Sequence, residues 1–157
     1  MTREENFMHE AINMGIQGMR NNLGGPFGCV IVKDDKIIGK GCNSLIATND
    51  PTAHAEIIAI RNACMHLQSF QLHDCEIYTT CEPCPMCMGA IYWARPKKVF
   101  YANSKTDAAN IGFDDSFIYK ELSLPLEKRK IELECICSEE AVKMFEEWKL
   151  TNNKTLY

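Results

Sequence analysis

Two stretches decide how this chain folds: NDPTAHAEIIAI, residues 49–60, and CEPCPMCMGAIYWAR, residues 81–95. In the first, Asn49-Asp50-Pro51-Thr52 is a helix-start signal for an apolar run through Ile57, Ile58, Ile60 and Leu67. In the second, Pro85 opens a helix that Pro96 stops near Ala94. The β-rich EIYTT of residues 76–80 precedes it. Working outward, residues 98–102 read as a strand on Val99, Phe100 and Tyr101. Upstream, Cys29-Val30-Ile31-Val32 is a buried strand, turned by Asp34-Asp35-Lys36 into a returning strand at Ile37-Ile38. Residues 5–21 carry Met8, Ala11, Ile12, Ile16 and Met19 on one helical face, ended by Asn21, Asn22, Gly24 and Gly25. Downstream, residues 115–122 predict a short helix and 131–137 a last strand of alternating apolar residues. Residues 139–149 predict a closing helix whose stripe of Ala141, Met144, Phe145 and Trp148 faces the core. Strands alternating with helices predict an α/β layered domain with helices on both faces of one sheet.

No repeat or linker divides the 157 residues, which are read as a single domain, 1–157. A hydrophobic fraction of 46% and a charged fraction of 24% are those of a globular protein. A net charge of −4 counts against a surface built to clamp nucleic acid. No apolar run reaches the roughly 18 residues of a membrane span. The start MTREENFMHE is too acidic and polar for a secretory signal, so a cytoplasmic location is expected. Nine cysteines, an odd number, argue against a disulfide framework. Cys29, Cys42, Cys64, Cys75, Cys135 and Cys137 are read as buried thiols among apolar neighbours. Cys81, Cys84 and Cys87, spaced by three, require a chemical explanation.

His54-Ala55-Glu56 and Pro83-Cys84-Pro85-Met86-Cys87 each fall at the start of a predicted helix. Alone, a Cys-x-x-Cys serves as a redox pair or a structural metal clip. Joined to an upstream His-x-Glu, it matches the signature of zinc deaminases. One imidazole from His54 and thiolates from Cys84 and Cys87 neutralise zinc(II), and two helix N-termini favour the thiolate forms. The fourth tetrahedral position is then left for a water that the metal acidifies. Glu56 remains after the ligands are counted, and its expected role is to move a proton from that water to the substrate. The competing arrangement is a closed structural site in which Cys81 is a fourth ligand. His66 and His73 lie near polar turns, where solvated side chains are expected, and His9 lies on the first helix.

With these residues in hand, the chain resembles the cytidine deaminase-like superfamily, and within it is similar to small zinc-dependent guanine deaminases. The similarity runs from Gly24-Gly25-Pro26-Phe27-Gly28 to Tyr157. Its more discriminating segments are Tyr92-Trp93-Ala94-Arg95-Pro96 and the run GFDDSFIY of residues 112–119. The resemblance implies a three-layer α/β/α sandwich with a five-stranded mixed sheet, one zinc per subunit and a homodimer. It implies exchange of a C-terminal segment, about residues 138–157, between subunits. The activity implied is hydrolytic deamination of a free purine base, guanine to xanthine with loss of ammonia.

By the same resemblance Asn43 and the backbone of Ala55 would hydrogen-bond the base, and Phe27 and Trp93 would pack against its ring. Asp115 would enter the site as substrate anchor or second proton carrier, and Tyr157 would cover the base. Each has a plainer alternative: Asn43 as a turn residue, Phe27 and Trp93 as core, Asp115 as a helix cap, Tyr157 as a frayed end. Cytosine or tRNA adenosine deamination is the competing activity, and a zinc-stabilised binding module the competing class.

Overall fold

The computed structural model describes residues 1–157, in two compact units, 1–116 and 117–157. In the first, α1 (Arg3–Arg20) leads into the hairpin β1 (Gly28–Lys33) and β2 (Lys36–Cys42), followed by α2 (Leu45–Thr48) and α3 (Ala55–Leu67). Then come β3 (Glu76–Cys81), α4 (Pro85–Ala94), β4 (Lys98–Asn103) and α5 (Lys105–Asn110). From Ser116 onward the chain forms α6 (Ser116–Leu122), a 3-10 turn at Leu126–Lys128 and α7 (Ser138–Leu150).

The sheet order is β2-β1-β3-β4, with β1 antiparallel to both neighbours and β3 parallel to β4. The hairpin turns on Asp34 and Asp35, both with positive φ (48° and 58°). This is the mirror-image turn whose twist suits paired strands. Central β1 is buried on both faces and shares its side chains between two cores. Val30 and Val32 join Tyr78 and Ala11 under α1, with Phe7, Met8 and Met14 packed around them. Cys29 and Ile31 pack with Ile77 against Ala55, Ala59 and Ala63 of α3 and Ile91 and Ala94 of α4.

The alanine row of α3 packs directly on the glycines of β2. A Cβ placed on Gly41 would sit 2.3 Å from the Ala55 carbonyl oxygen and 2.7 Å from the Ala59 nitrogen. Both obstacles are backbone and cannot swing aside. Gly41 therefore fixes the height at which α3 begins.

The α/β class and the mixed sheet agree with expectation, but the sheet has four strands and not five. Residues 131–137 form no strand, although their apolar side chains alternate. A strand exists only where a neighbour takes its N–H and C=O groups, and residues 117–157 contain no other strand to pair with. Ile131 is 78% exposed there, and Cys135 and Cys137 are exposed too, against the reading that they are buried. On α7, Phe145 (70% exposed) and Trp148 (47%) are not core either.

The start signal at residues 49–52 is also spent differently. The Asp50 carboxylate accepts from the Thr52 N–H (2.8 Å) and hydroxyl (2.7 Å). With its carboxylate closing that local turn, the helix begins only after His54.

Replacing Gly41 by Ala is expected to cost about 3 kcal/mol, the upper range for overpacking, or roughly 6–12 °C in Tm. Thermal unfolding followed by circular dichroism measures it.

Candidate active site

Two helix starts supply the chemistry. His54 is the N-cap of α3 and Cys84 the N-cap of α4, both with extended backbone, and neither side chain caps its own helix. Both side chains are thus free to face outward beyond the helix ends, where the positive ends of the dipoles lie. Pro85 occupies the first turn of α4, where its missing N–H costs nothing. One turn on, Cys87 is fully buried.

His54 Nδ1 lies 3.5 Å from Cys84 Sγ and 3.5 Å from Cys87 Sγ. The three ligand atoms all fall within 4.8 Å of one another. A tetrahedral zinc with Zn–N near 2.1 Å and Zn–S near 2.3 Å separates nitrogen from sulfur by about 3.6 Å. The donor set therefore fits one zinc ion.

Its protonation fits as well. The Cys84 thiol is lowered to about 4, first by the hydrogen bond from Cys87 and further by His54. Cys87 is pushed up, chiefly by that same donation to Cys84 and then by burial. His54 is raised by its bond to Cys84. Two sulfurs and an imidazole sharing protons in this way give them up to a divalent cation, under which both sulfurs become thiolates.

Glu56 sits in the first turn of α3 with 6% of its surface exposed. Its Oε1 accepts from the Thr79 hydroxyl at 3.0 Å, and its Oε2 lies 3.4 Å from Cys87 Sγ. Burial pushes its pKa up, against the lowering effect of these donors. Cys81 is not part of the ligand set. Its thiol faces the Ser104 carbonyl at 3.7 Å, and burial raises it to about 11.

Asn43 is 4% exposed and tightly clamped. The Gly25 N–H donates to its Oδ1 at 3.2 Å, and its own N–H donates to the Phe27 carbonyl at 3.0 Å. A Cβ on Gly24 would lie 2.1 Å from that Oδ1 and 2.7 Å from the Asn43 carbonyl oxygen. The amide is therefore oriented by backbone, with its NH₂ end left to donate. Phe27 meets Phe113 edge-on, centroids 4.9 Å apart. Ala55, fully buried, is the first residue of α3, so its N–H has no acceptor inside the helix.

Asp115 is half-buried, and burial raises its pKa, with the nearby Cys84 charge adding to the rise. The Ser116 N–H at the start of α6 is taken by Asp114 at 2.9 Å, so the cap role belongs to Asp114. Trp93 lies on α4 with 63% of its surface exposed. Tyr157 ends the second unit, 71% exposed.

Two features escaped the sequence reading. Thr79 looks like any β-branched residue of a buried strand, and only a polar residue inside a wholly buried run marks it. The Gly25–Asn43 contact joins positions 18 apart and has no local signal.

Fold and ligand set together are those of the zinc-dependent deaminases. The profile of the cytidine and deoxycytidylate deaminase zinc-binding region matches residues 1–103, and the chain belongs to that family. It is similar to the guanine deaminase of Bacillus subtilis (strain 168), 54% identical over 153 residues and 98% of each chain. The X-ray structure of guanine deaminase from Bacillus subtilis superposes with a TM-score of 0.95 over 98% of both chains. The tRNA-specific adenosine deaminase of Aquifex aeolicus (strain VF5) is 38% identical over 130 residues, 82% of this chain and 83% of that one.

Purified Cys84→Ser protein is expected to lose most of its zinc, because a hydroxyl is a poor ligand for this metal. Cys81→Ser should keep about one zinc per chain. Metal analysis by mass spectrometry distinguishes the two, and an emptied Cys81→Ser site would reinstate the closed four-ligand arrangement.

Proposed function

We propose that this chain is a zinc-dependent hydrolase that converts guanine to xanthine and ammonia. The observation that carries the chemistry is a buried carboxylate, Glu56, set 3.4 Å from one sulfur of a His54–Cys84–Cys87 cluster. What carries the substrate is full-length similarity to a guanine deaminase, 54% identical over 98% of both chains.

When bound, zinc supplies a Lewis acid that makes a water at its open position a nucleophile at neutral pH. His54, Cys84 and Cys87 would hold it. Glu56 accepts the proton of the attacking water and delivers it to N3 of guanine. Protonation makes C2 electrophilic, so that oxygen adds there. The bond from C2 to the amino nitrogen then breaks, and Glu56 carries the second proton to the departing ammonia. Asn43, its carbonyl end already held by Gly25, donates its NH₂ to an acceptor of the base, and the unpaired N–H of Ala55 donates beside it. Asp115 provides the carboxylate for the donor edge of guanine at N1 and N2. Phe27 and Trp93 cover the ring.

We further infer that the chain works as a homodimer in which residues 138–157 cross to a second copy and Tyr157 closes the partner's base site. The apolar stripe of α7 supports this, since no residue of the second unit is buried. No helix is long and apolar enough to cross a membrane. Nine free cysteines suit a reducing compartment, which we take to be the cytoplasm.

Ammonia release measured against guanine, adenine, cytosine, cytidine and an adenosine-bearing tRNA stem-loop tests the reading directly. Guanine should be turned over fastest, and Glu56→Gln should lower the rate at least about 10²–10⁴-fold with zinc retained. Preference for the stem-loop would move the assignment to tRNA adenosine.

Deleting Leu156 and Tyr157 should leave zinc and secondary structure intact while sharply reducing guanine turnover. Mixing that truncated form with Glu56→Gln protein should restore part of the activity, because a hybrid dimer joins an intact zinc centre to an intact tail. Full activity of the truncated form alone would remove Tyr157 from the site.

A further inference from the structure

We propose that Thr79 is a positioning residue for the proton carrier: its hydroxyl holds one oxygen of Glu56, leaving the other to face the metal ligands. The inference rests on the reading of Glu56 as proton carrier in guanine deamination.

Strand β3 runs Glu76-Ile77-Tyr78-Thr79-Thr80-Cys81, buried from Ile77 onward. Side chains alternate between its faces, so Tyr78 lies in the core under α1 while Ile77 packs with α3 and α4. Thr79 shares the face of Ile77 and is 1% exposed. Its backbone is paired with Cys29 on one side and Tyr101 on the other. Only the side chain is free for other work.

At such a position Val fills nearly the same volume with no polar atom to satisfy. Threonine brings a buried hydroxyl, which costs about 1–3 kcal/mol unless it is bonded. Thr80, the next residue, meets that demand within the fold by accepting the Gly28 N–H at 3.0 Å. Thr79 instead donates to Glu56 Oε1 at 3.0 Å. The strand backbone and the stiff χ1 of a β-branched residue fix the direction of that donation. With Oε1 engaged, Oε2 is the oxygen beside Cys87 Sγ at 3.4 Å. The two oxygens are thus assigned different partners, one a scaffold and one the ligand cluster. A carboxylate free to rotate would spend part of its time misaligned for proton transfer.

Three substitutions separate this role from packing. Thr79→Ser keeps the hydroxyl and loses the methyl group. Thr79→Val keeps the shape and loses the hydroxyl, and Thr79→Ala loses both. Steady-state kinetics on guanine, zinc content and Tm are measured for each. The Val and Ala proteins should lose about 10- to 100-fold in kcat with KM within about twofold, the size of a lost bond to a charged acceptor. The Ser protein should stay within about threefold of wild type, and all three should carry about one zinc per chain.

Activity that follows volume, with Val near wild type and Ser as low as Ala, overturns the proposal in favour of packing. A change confined to KM, or zinc lost from the Val and Ala proteins, overturns it as well. Should the Val protein not fold, Ser against Ala still isolates the hydroxyl. A wild-type protein that releases no ammonia from guanine overturns the substrate reading and this inference with it. An active wild type, silenced by Glu56→Gln but indifferent to the hydroxyl at residue 79, overturns this inference alone.

Discussion

Glu56 brings a carboxylate into the interior of the first unit, where an unpaired charge costs several kcal/mol or forces neutralisation. A hydroxyl from β3 engages one oxygen, and the other lies beside a sulfur of α4. Glu56 reaches these neighbours because α3 begins at a fixed height, set by the contact of Ala55 and Ala59 with Gly41 of β2. That same height places His54. Residues two apart on a helix point to nearly opposite sides, which would part His54 from Glu56. The separation is avoided because His54 precedes the helix with extended backbone, while Glu56 lies within its first turn. One helix start therefore delivers an imidazole and a buried carboxylate to the same place.

The helix starts on which this depends are written locally, and for that reason the ligand set was legible in the sequence. Cys84 and Cys87 are an i, i+3 pair beside a helix-opening proline, and His54 and Glu56 share three residues. The strands from Gly28 to Asn103 were legible for a related reason, since each is a short β-rich run bounded by turn residues. What the sequence did not disclose lies across the chain. The Gly25–Asn43 clamp and the Thr79–Glu56 bond join residues 18 and 23 apart, and no periodicity predicts them. Asp115 was expected in the site, with a helix cap as its plainer alternative, and the Ser116 N–H that such a cap would take is held by Asp114. Adjacent acids carry the same signal, and only geometry assigns them different work.

Residues 131–137 and α7 fail in a different and more informative way. The alternation of the one and the apolar stripe of the other were read correctly as patterns, but a pattern states only that a face needs cover. It does not say which surface provides it. Within 117–157 nothing does, and Met144, Phe145 and Leu150 stay 63%, 70% and 80% exposed. Covering side chains of this kind is worth roughly 1.5–3 kcal/mol each. A lone helix of 13 residues is marginal in water, so α7 draws its stability from packing outside itself. A second copy of the chain, exchanging this segment as proposed, would supply such packing without any further partner, because a two-fold exchange gives each copy the same cover that it provides. Under the proposed exchange, the energy that orders the last helix also carries Tyr157 to a base site. Folding of the tail and completion of the site then become a single event.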